Sequence, residues 1–178
     1  MTKAQNFDSV FTKRRRIARL ARDNPLMAFT SLNHYLDIEW LHYAFRQTRK
    51  DGAPGVDGRT WHDYEQDLEA NLQSLLDRAK SGTYRAPPVK RAYIPKGTSA
   101  TETRPIGIPT LEDKVLQRAV VLILDAIYEQ DFYDCSHGFR RGRSTHPYPS
   151  WAWFERLLKR YPLPPAIPVH SVCRVANA

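Results

Sequence analysis

Apolar positions fall at helical spacing in four stretches of the chain. Val10, Ile17 and Leu20 mark the first, with Asp8-Ser9 available as a cap and Asn24-Pro25 as the stop. Its other faces hold Lys13, Arg14, Arg15, Arg16, Arg19 and Arg22, which predicts a cationic rod. Ile38, Leu41, Ala44 and Phe45 share one side of a second helix that Asp37 can cap and that stops near Lys50. Trp61, Tyr64, Leu68, Leu72, Leu75 and Ala79 give the clearest amphipathic helix, which starts at a capping box of Thr60 with Asp63 and runs to Ser81-Gly82. Leu111, Val115, Leu116, Ala119, Ile123 and Ile127 mark the fourth, capped in the same way by Thr110 and Asp113, and the run Val120 to Leu124 predicts burial on more than one side.

Between these helices the pattern changes. Asp51-Gly52-Ala53-Pro54-Gly55-Val56-Asp57-Gly58 holds no regular element, because three glycines and a proline fall in eight residues. Val89 to Ile94 and Ile106 to Ile108 are β-prone, and polar Gly97-Thr98-Ser99-Ala100 between them predicts an irregular hairpin. From Cys135 a basic, glycine-punctuated loop runs through Ser144. Beyond His146, Pro147, Pro149, Pro162, Pro164, Pro165 and Pro168 interrupt every periodicity, apart from a short helical stretch around Trp153 to Tyr161. The predicted class is α+β, with helices packed around a small antiparallel hairpin or sheet.

Composition adds a sign to this outline. The 178 residues suffice for one domain of ordinary size, and 27 Lys+Arg against 19 Asp+Glu give a net charge of +8 and a pI near 9.7. Polyanions are the natural partners of such a field. No apolar stretch reaches the roughly 18 residues of a membrane span. The amino terminus arrives at Lys13-Arg14-Arg15-Arg16 without the apolar core of a secretory signal, so residence in the cytoplasm is expected. Cys135 and Cys173 form no disulfide framework, which fits a reducing compartment.

The candidate chemistry lies in the placement of cations. Lys90, Arg91, Lys96 and Arg104 fall on the hairpin and Arg140, Arg141 and Arg143 on the later loop. Side chains on strand rails meet phosphate oxygens with little ordering cost. Lysines on an edge strand also serve simply to discourage pairing. The Gly52 to Gly58 segment could admit a nucleic-acid backbone, since glycine has no Cβ to block contact, or be a plain turn; it lacks the Lys-Ser/Thr ending of a phosphate-binding P-loop. Cys135-x-His137 and His170-x-x-Cys173 do not have common structural-zinc spacings, and Asp131 with Asp134 reads as a cap and a solvated residue sooner than as metal ligands. These properties define a basic, mainly helical module with a cationic hairpin; polymerisation does not follow from them.

Read as ordered text, the same residues carry a resemblance. The blocks are Gly52-Ala53-Pro54-Gly55-Val56-Asp57-Gly58-x-Thr60, Gly82-Thr83-Tyr84-Arg85-x-Pro87-x-Val89, Tyr93-Ile94-Pro95-Lys96, Arg104-Pro105-Ile106-Gly107-Ile108-Pro109-Thr110, Asp113-Lys114-Val115-Leu116-Gln117, and Gly138-Phe139-Arg140-Arg141-Gly142-Arg143-Ser144-Thr145-His146. In this order they resemble the opening blocks of group II intron reverse transcriptases, also called maturases. The resemblance covers about residues 30 to 146, with the basic helix of residues 1–29 before it and a proline-rich tail, 147–178, that resembles nothing in the family and reads either as out-of-frame translation or as a divergent native tail.

The resemblance implies the fingers and the start of the palm of a right-hand polymerase that copies RNA into DNA and helps its intron RNA to splice. By position, Lys96 and Arg104 would hold the triphosphate of the incoming nucleotide, with Arg91 in support. Gly52, Gly55 and Gly58 would lie over template and primer, and Phe139, Arg140, Arg143 and Ser144 against the template. The implied partners are intron RNA, an RNA template with a DNA primer, and a deoxynucleoside triphosphate, with no membrane. Arg141 stands where the family usually has Pro. The family's catalytic carboxylates, which hold Mg²⁺, follow the Gly-Phe-Arg block, and none is recognisable after His146. The expectation is therefore a truncated, catalytically inactive piece that needs no metal and self-associates through a surface meant for the palm. A non-enzymatic RNA-binding splicing cofactor and a non-functional mobile-element remnant are the alternatives.

Overall fold

The computed structural model describes residues 7–97, 99–133, 136–138, 140 and 142–143, with residues 99–101 described by their backbone alone. The chain divides into two compact units, Met1–Asp131 and Phe132–Ala178. The first holds all the described regular elements: helix α1 (Asp8–Asp23), a 3-10 turn at Asn33–Tyr35, α2 (Ile38–Arg46), α3 (Trp61–Gln66), α4 (Leu68–Lys80), strands β1 (Lys90–Lys96) and β2 (Ser99–Ile108), and α5 (Leu111–Tyr128). The arrangement is α+β, a helical body with one two-stranded antiparallel sheet. Among the described residues no helix is long and apolar enough to cross a membrane.

Helix α5 is the spine of this unit: α1 and α2 pack on it, and α4 packs on α2. Their meeting line buries Val10 and Ile17, Trp40, Leu41, Ala44 and Phe45, Leu72 and Leu75, and Val115, Ala119 and Leu122. The indole Nε1 of Trp40 donates to the carbonyl of Ala119 across 3.0 Å, so the largest buried side chain brings no unpaired donor into the core. All six residues from Trp40 to Phe45 are buried, because α2 is covered by α1, α4 and α5 together. The expected stripe of Ile38, Leu41, Ala44 and Phe45 is thus only part of what α2 conceals.

Local capping signals hold. Asp37 accepts from the amide of Trp40 at 2.9 Å, and Thr60 and Asp63 form a complete capping box. Helix α1 is different: it begins at Asp8 after Phe7 with no side-chain cap, and Ser9 donates to Glu39 while Lys13 pairs with Asp37, so these residues tie α1 to α2. The second helix stops at Arg46, short of Lys50, where Thr48 Oγ1 donates back to the Ala44 carbonyl at 2.9 Å.

Two expectations need correction. The helix read as continuous from Thr60 to Ser81 breaks at Asp67, whose backbone leaves helical geometry (φ −116°, ψ 39°). Asn71 Nδ2 donates to the carbonyl of Tyr64 at 3.1 Å, which satisfies a group the break sets free. The run Val120 to Leu124 is not buried on several sides: Leu122 and Ile123 are buried, whereas Val120, Val121 and Leu124 are each more than a third exposed. Helices α1 and α2 are the elements packed most extensively on α5, and these three residues lie away from the side they bury.

The hairpin is longer than its apolar residues indicate. Gly97, at φ +62°, makes a tight reversal that lets Lys96 pair with Ser99, so β2 starts inside the polar segment. The register slips between Pro95 and Lys96, at a proline that has no N–H for the ladder.

Candidate nucleotide and nucleic-acid interface

Strand register decides which hairpin cations share a face. Directly paired residues of an antiparallel ladder point to the same side, and successive residues alternate. Arg104 pairs with Ile94 and Lys90 with Ile108, which puts Lys90 and Arg104 on one face with half-buried Ala92 and Ile94. Arg91 pairs with Gly107, on the opposite face with Tyr93. Lys96, two residues beyond Ile94, forms an ion pair of 3.4 Å with Glu102, itself two residues before Arg104, so Lys96, Glu102 and Arg104 share the distal half of one face. Of the three cations singled out in the sequence, the hairpin brings two together and turns Arg91 away. The side chains of Lys90, Arg91 and Arg104 are exposed and have no partner among the described residues.

Glu102 is the residue that sequence reasoning missed. It is about as exposed as Lys96, and an exposed pair of this kind contributes only about 0–1 kcal/mol. Its position two residues from Arg104 was visible; its pairing across the irregular turn was not.

The strands touch each other and little of the helical body, but the ends of the hairpin are fixed. Tyr84, on the approach to β1, donates its hydroxyl to Asp113 Oδ1 at 3.1 Å, and Gln117 Nε2 donates to Oδ2 at 2.7 Å. Asp113 is buried in the first turn of α5, directly after β2, so this contact joins the two bases of the hairpin. Beside it, Arg78 of α4 forks onto both oxygens of Glu112, and its guanidinium lies 5.5 Å from the Tyr84 ring centre. Burial first, and then the Asp113 charge, push the Tyr84 hydroxyl well above its ordinary pKa. The Glu112 hydrogen bond raises that of Arg78. The Thr110 cap forms as expected, accepting from the amide of Asp113 at 3.4 Å, but the Asp113 carboxylate turns to Tyr84 and Gln117.

The glycine segment lies against the start of α5. A Cβ on Gly55 would fall 2.6 Å from Thr110 Cα, 2.7 Å from its nitrogen and 2.9 Å from the Pro109 carbonyl oxygen, so this glycine is required by a close backbone approach within the protein. Gly58 has φ +68° with open space around it, the signature of a turn, and Gly52 is open apart from ordinary contact with Arg49 and Lys114. Lys114 Nζ donates to the Ala53 carbonyl at 2.6 Å and holds the segment down.

On α1, Arg15, Arg16 and Arg19 are exposed on the side away from buried Val10, Ile17 and Ala21. Arg22 donates twice to Gln130 Oε1, at 3.1 Å each.

In the second unit Arg140 is buried: its Nη1 donates to the carbonyls of Tyr133 and Ser136 at 3.0 and 2.7 Å, and its guanidinium stacks 4.9 Å from the Phe132 ring centre. This arginine organises its own loop. Arg143 is half-buried and its amide donates to the Arg140 carbonyl at 3.3 Å. Phe139, Arg141, Ser144, Asp134, Cys135 and the 147–178 tail lie outside the described residues. Among the described residues no three His, Cys, Asp or Glu side chains converge as metal ligands.

No family model matches the chain. Protein YkfC of Escherichia coli (strain K12) is 39% identical over 136 residues, which is 74% of this chain and 35% of YkfC. The group II intron-encoded protein LtrA of Lactococcus lactis subsp. cremoris is 38% identical over 135 residues, 74% of this chain and 22% of LtrA. A putative COX1/OXI3 intron 1 protein of Saccharomyces cerevisiae is 24% identical over 108 residues. The matched region thus corresponds to 35% of YkfC and 22% of LtrA. With six motif blocks in order and these identities over three quarters of its length, the chain belongs to the family of group II intron-encoded reverse transcriptases, or maturases.

Proposed function

We propose that this chain is the nucleotide- and RNA-gripping fingers portion of a group II intron reverse transcriptase, an RNA-directed DNA polymerase, and that it binds but does not polymerise by itself. The observation that carries the reading is the hairpin face on which Lys96 and Arg104 stand together, exposed, on strands whose bases are clamped to the helical body. Such a face suits a triphosphate, since two cations on rigid rails meet its oxygens without first being ordered. Arg91, on the other face, enters only as a supporting charge. The exposed arginines of α1 and the basic loop beyond Cys135 supply the charge for intron RNA and for a template with its primer.

The Mg²⁺ ions of the family's chemistry need converging carboxylates, which in this reading belong to the palm and not to the fingers. In this reading residues 30–146 are the fingers and early palm, residues 1–29 the basic leading helix, and the 147–178 tail no part of the enzyme. The exposed stripe of Val120, Val121 and Leu124 on α5 is then a surface for the palm, and without it the chain self-associates.

The test uses the chain joined in frame to the palm and thumb of a relative. Lys96→Ala and Arg104→Ala should each raise the KM for deoxynucleotide far more than the dissociation constant for template-primer. Equal loss of both, or of neither, refutes the triphosphate assignment. A purely RNA-binding cofactor, which needs the same cations but no nucleotide, would lose template-primer affinity at least as much as nucleotide use.

A further inference from the structure

Away from the hairpin face, a cleft of about 300 Å³ opens between the end of α2 and the outer side of α5. Thr48 and Arg49 line one wall, Lys114, Gln117 and Arg118 the other, with Val121 at its edge. Three of these six residues are cations, and no carboxylate lines the cleft. Asp51, paired with Arg49 through both oxygens at 2.7 and 2.8 Å, is the one acid tied to it, which leaves two positive charges uncompensated. Lys114 spends a hydrogen bond on the Ala53 carbonyl, a neutral acceptor that leaves its charge intact. Arg118 has no partner among the described residues.

The helix gains nothing from this placement. Cations on a helix are ordinarily stabilised by acids three or four residues away, yet Lys114 has Thr110, Leu111, Gln117 and Arg118 at those positions, and Arg118 has Lys114, Val115, Val121 and Leu122. The two face each other one turn apart, a like-charge pair. Lys114 also sits in the first turns of α5, where the helix dipole disfavours positive charge. An anion in the cleft reverses each of these penalties.

We propose that the cleft of Arg49, Lys114 and Arg118 is a second phosphate site, which takes a backbone phosphodiester of a bound RNA strand. Three donors of different reach line the same cleft, with the docked glycine segment beside Lys114, 3.9 Å from where a Gly52 Cβ would stand. The open cleft admits a strand along its cationic walls. This rests on the reading that the chain binds nucleic acid, but not on the hairpin assignment.

The test is fluorescence anisotropy of the full 178-residue chain with a labelled 20-nucleotide single-stranded RNA across a salt series. Arg118→Gln should weaken binding about tenfold at the lowest salt and reduce the salt slope by about 0.7, the share of one phosphate contact on a single strand. Lys114→Gln with Arg118→Gln should lose more, and Arg118→Lys should recover most of the affinity. Lys80→Gln, an exposed charge at the end of α4 outside the cleft, is the control for net charge. Circular dichroism establishes that each variant is folded.

RNA binding unchanged in the double variant, or equal losses in Lys80→Gln and Arg118→Gln, overturns the site and leaves the proposed function standing. Wild-type binding without salt dependence overturns both. In a parallel arm, inorganic phosphate and thymidine triphosphate compete with the RNA. If the double variant changes their competition but not the RNA isotherm, the cleft holds free phosphate and the strand assignment falls.

Discussion

Replacing Gly55 with alanine places a Cβ 2.6 Å from Thr110 Cα, 2.7 Å from Thr110 N and 2.9 Å from the Pro109 oxygen. All three atoms are backbone at the cap of α5, so no side chain can swing aside. Ordinary contact begins near 3.4 Å, and the glycine segment or the helix start must therefore yield by about 0.8 Å. Overpacking of this kind costs about 2–3 kcal/mol. For a chain of this length that lowers the melting midpoint by roughly 4–12 °C. Gly58→Ala meets no atom but must hold φ +68°, a cost of about 1–2 kcal/mol. Gly52→Ala, in ordinary contact only, should be near neutral. Urea and thermal unfolding followed by circular dichroism should thus rank Gly55→Ala below Gly58→Ala and both below Gly52→Ala. A Gly55→Ala protein of wild-type stability that has lost affinity for RNA would refute the reasoning, because it would mean that this glycine admits a nucleic-acid backbone and not α5.

Four further outcomes are expected. Glu102→Gln frees Lys96 beside Arg104 and should tighten triphosphate binding a few-fold in the fused enzyme, read by equilibrium titration; weaker binding would mean that Glu102 orients Lys96 instead. Tyr84→Phe removes a hydrogen bond to a buried carboxylate and should cost about 1.5–3 kcal/mol at neutral pH. Burial is the foremost cause that raises the pKa of both Tyr64 and Tyr84 above the ordinary 10.0, so their contribution is complete below pH 10 and is lost as pH climbs beyond it; urea midpoints should fall there, and less steeply in Tyr84→Phe, whereas an unchanged slope would count against the clamp. Leu124→Lys should shift the chain from self-associated to monomeric in sedimentation equilibrium, and an unaltered distribution would remove α5's exposed stripe from the association surface.

What the sequence disclosed was local. Asp37, Thr60 with Asp63, and Thr110 lie within three residues of the amides they cap, so their chemistry can be read without a fold. The break at Asp67 was hidden because Tyr64 and Leu68 keep helical spacing across it, and only the reach of Asn71 to the Tyr64 carbonyl shows how the chain tolerates it. Asp113 stands at a cap partner's spacing from Thr110, yet its carboxylate serves Tyr84, twenty-nine residues earlier. The separation of Arg91 from Arg104 depends on register, which the turn at Gly97 and the slip at Pro95 set, and composition cannot express it. Gly55 was visible as a glycine, but the backbone it meets lies more than fifty residues away. The family order of motif blocks carried the function further than any of these physical signals, because polymerase chemistry leaves no mark on periodicity or charge.

The placement of this chain as the gripping part of a reverse transcriptase is tested most directly by template-dependent primer extension. The purified 178-residue chain and its in-frame fusion to the palm and thumb of a relative are each given an RNA template, a DNA primer, deoxynucleotides and Mg²⁺. Extension by the fusion and no incorporation above background by the chain alone is the expected result. Extension by the chain alone, abolished by Asp131→Asn, would contradict it, as would a folded fusion that binds RNA and adds nothing.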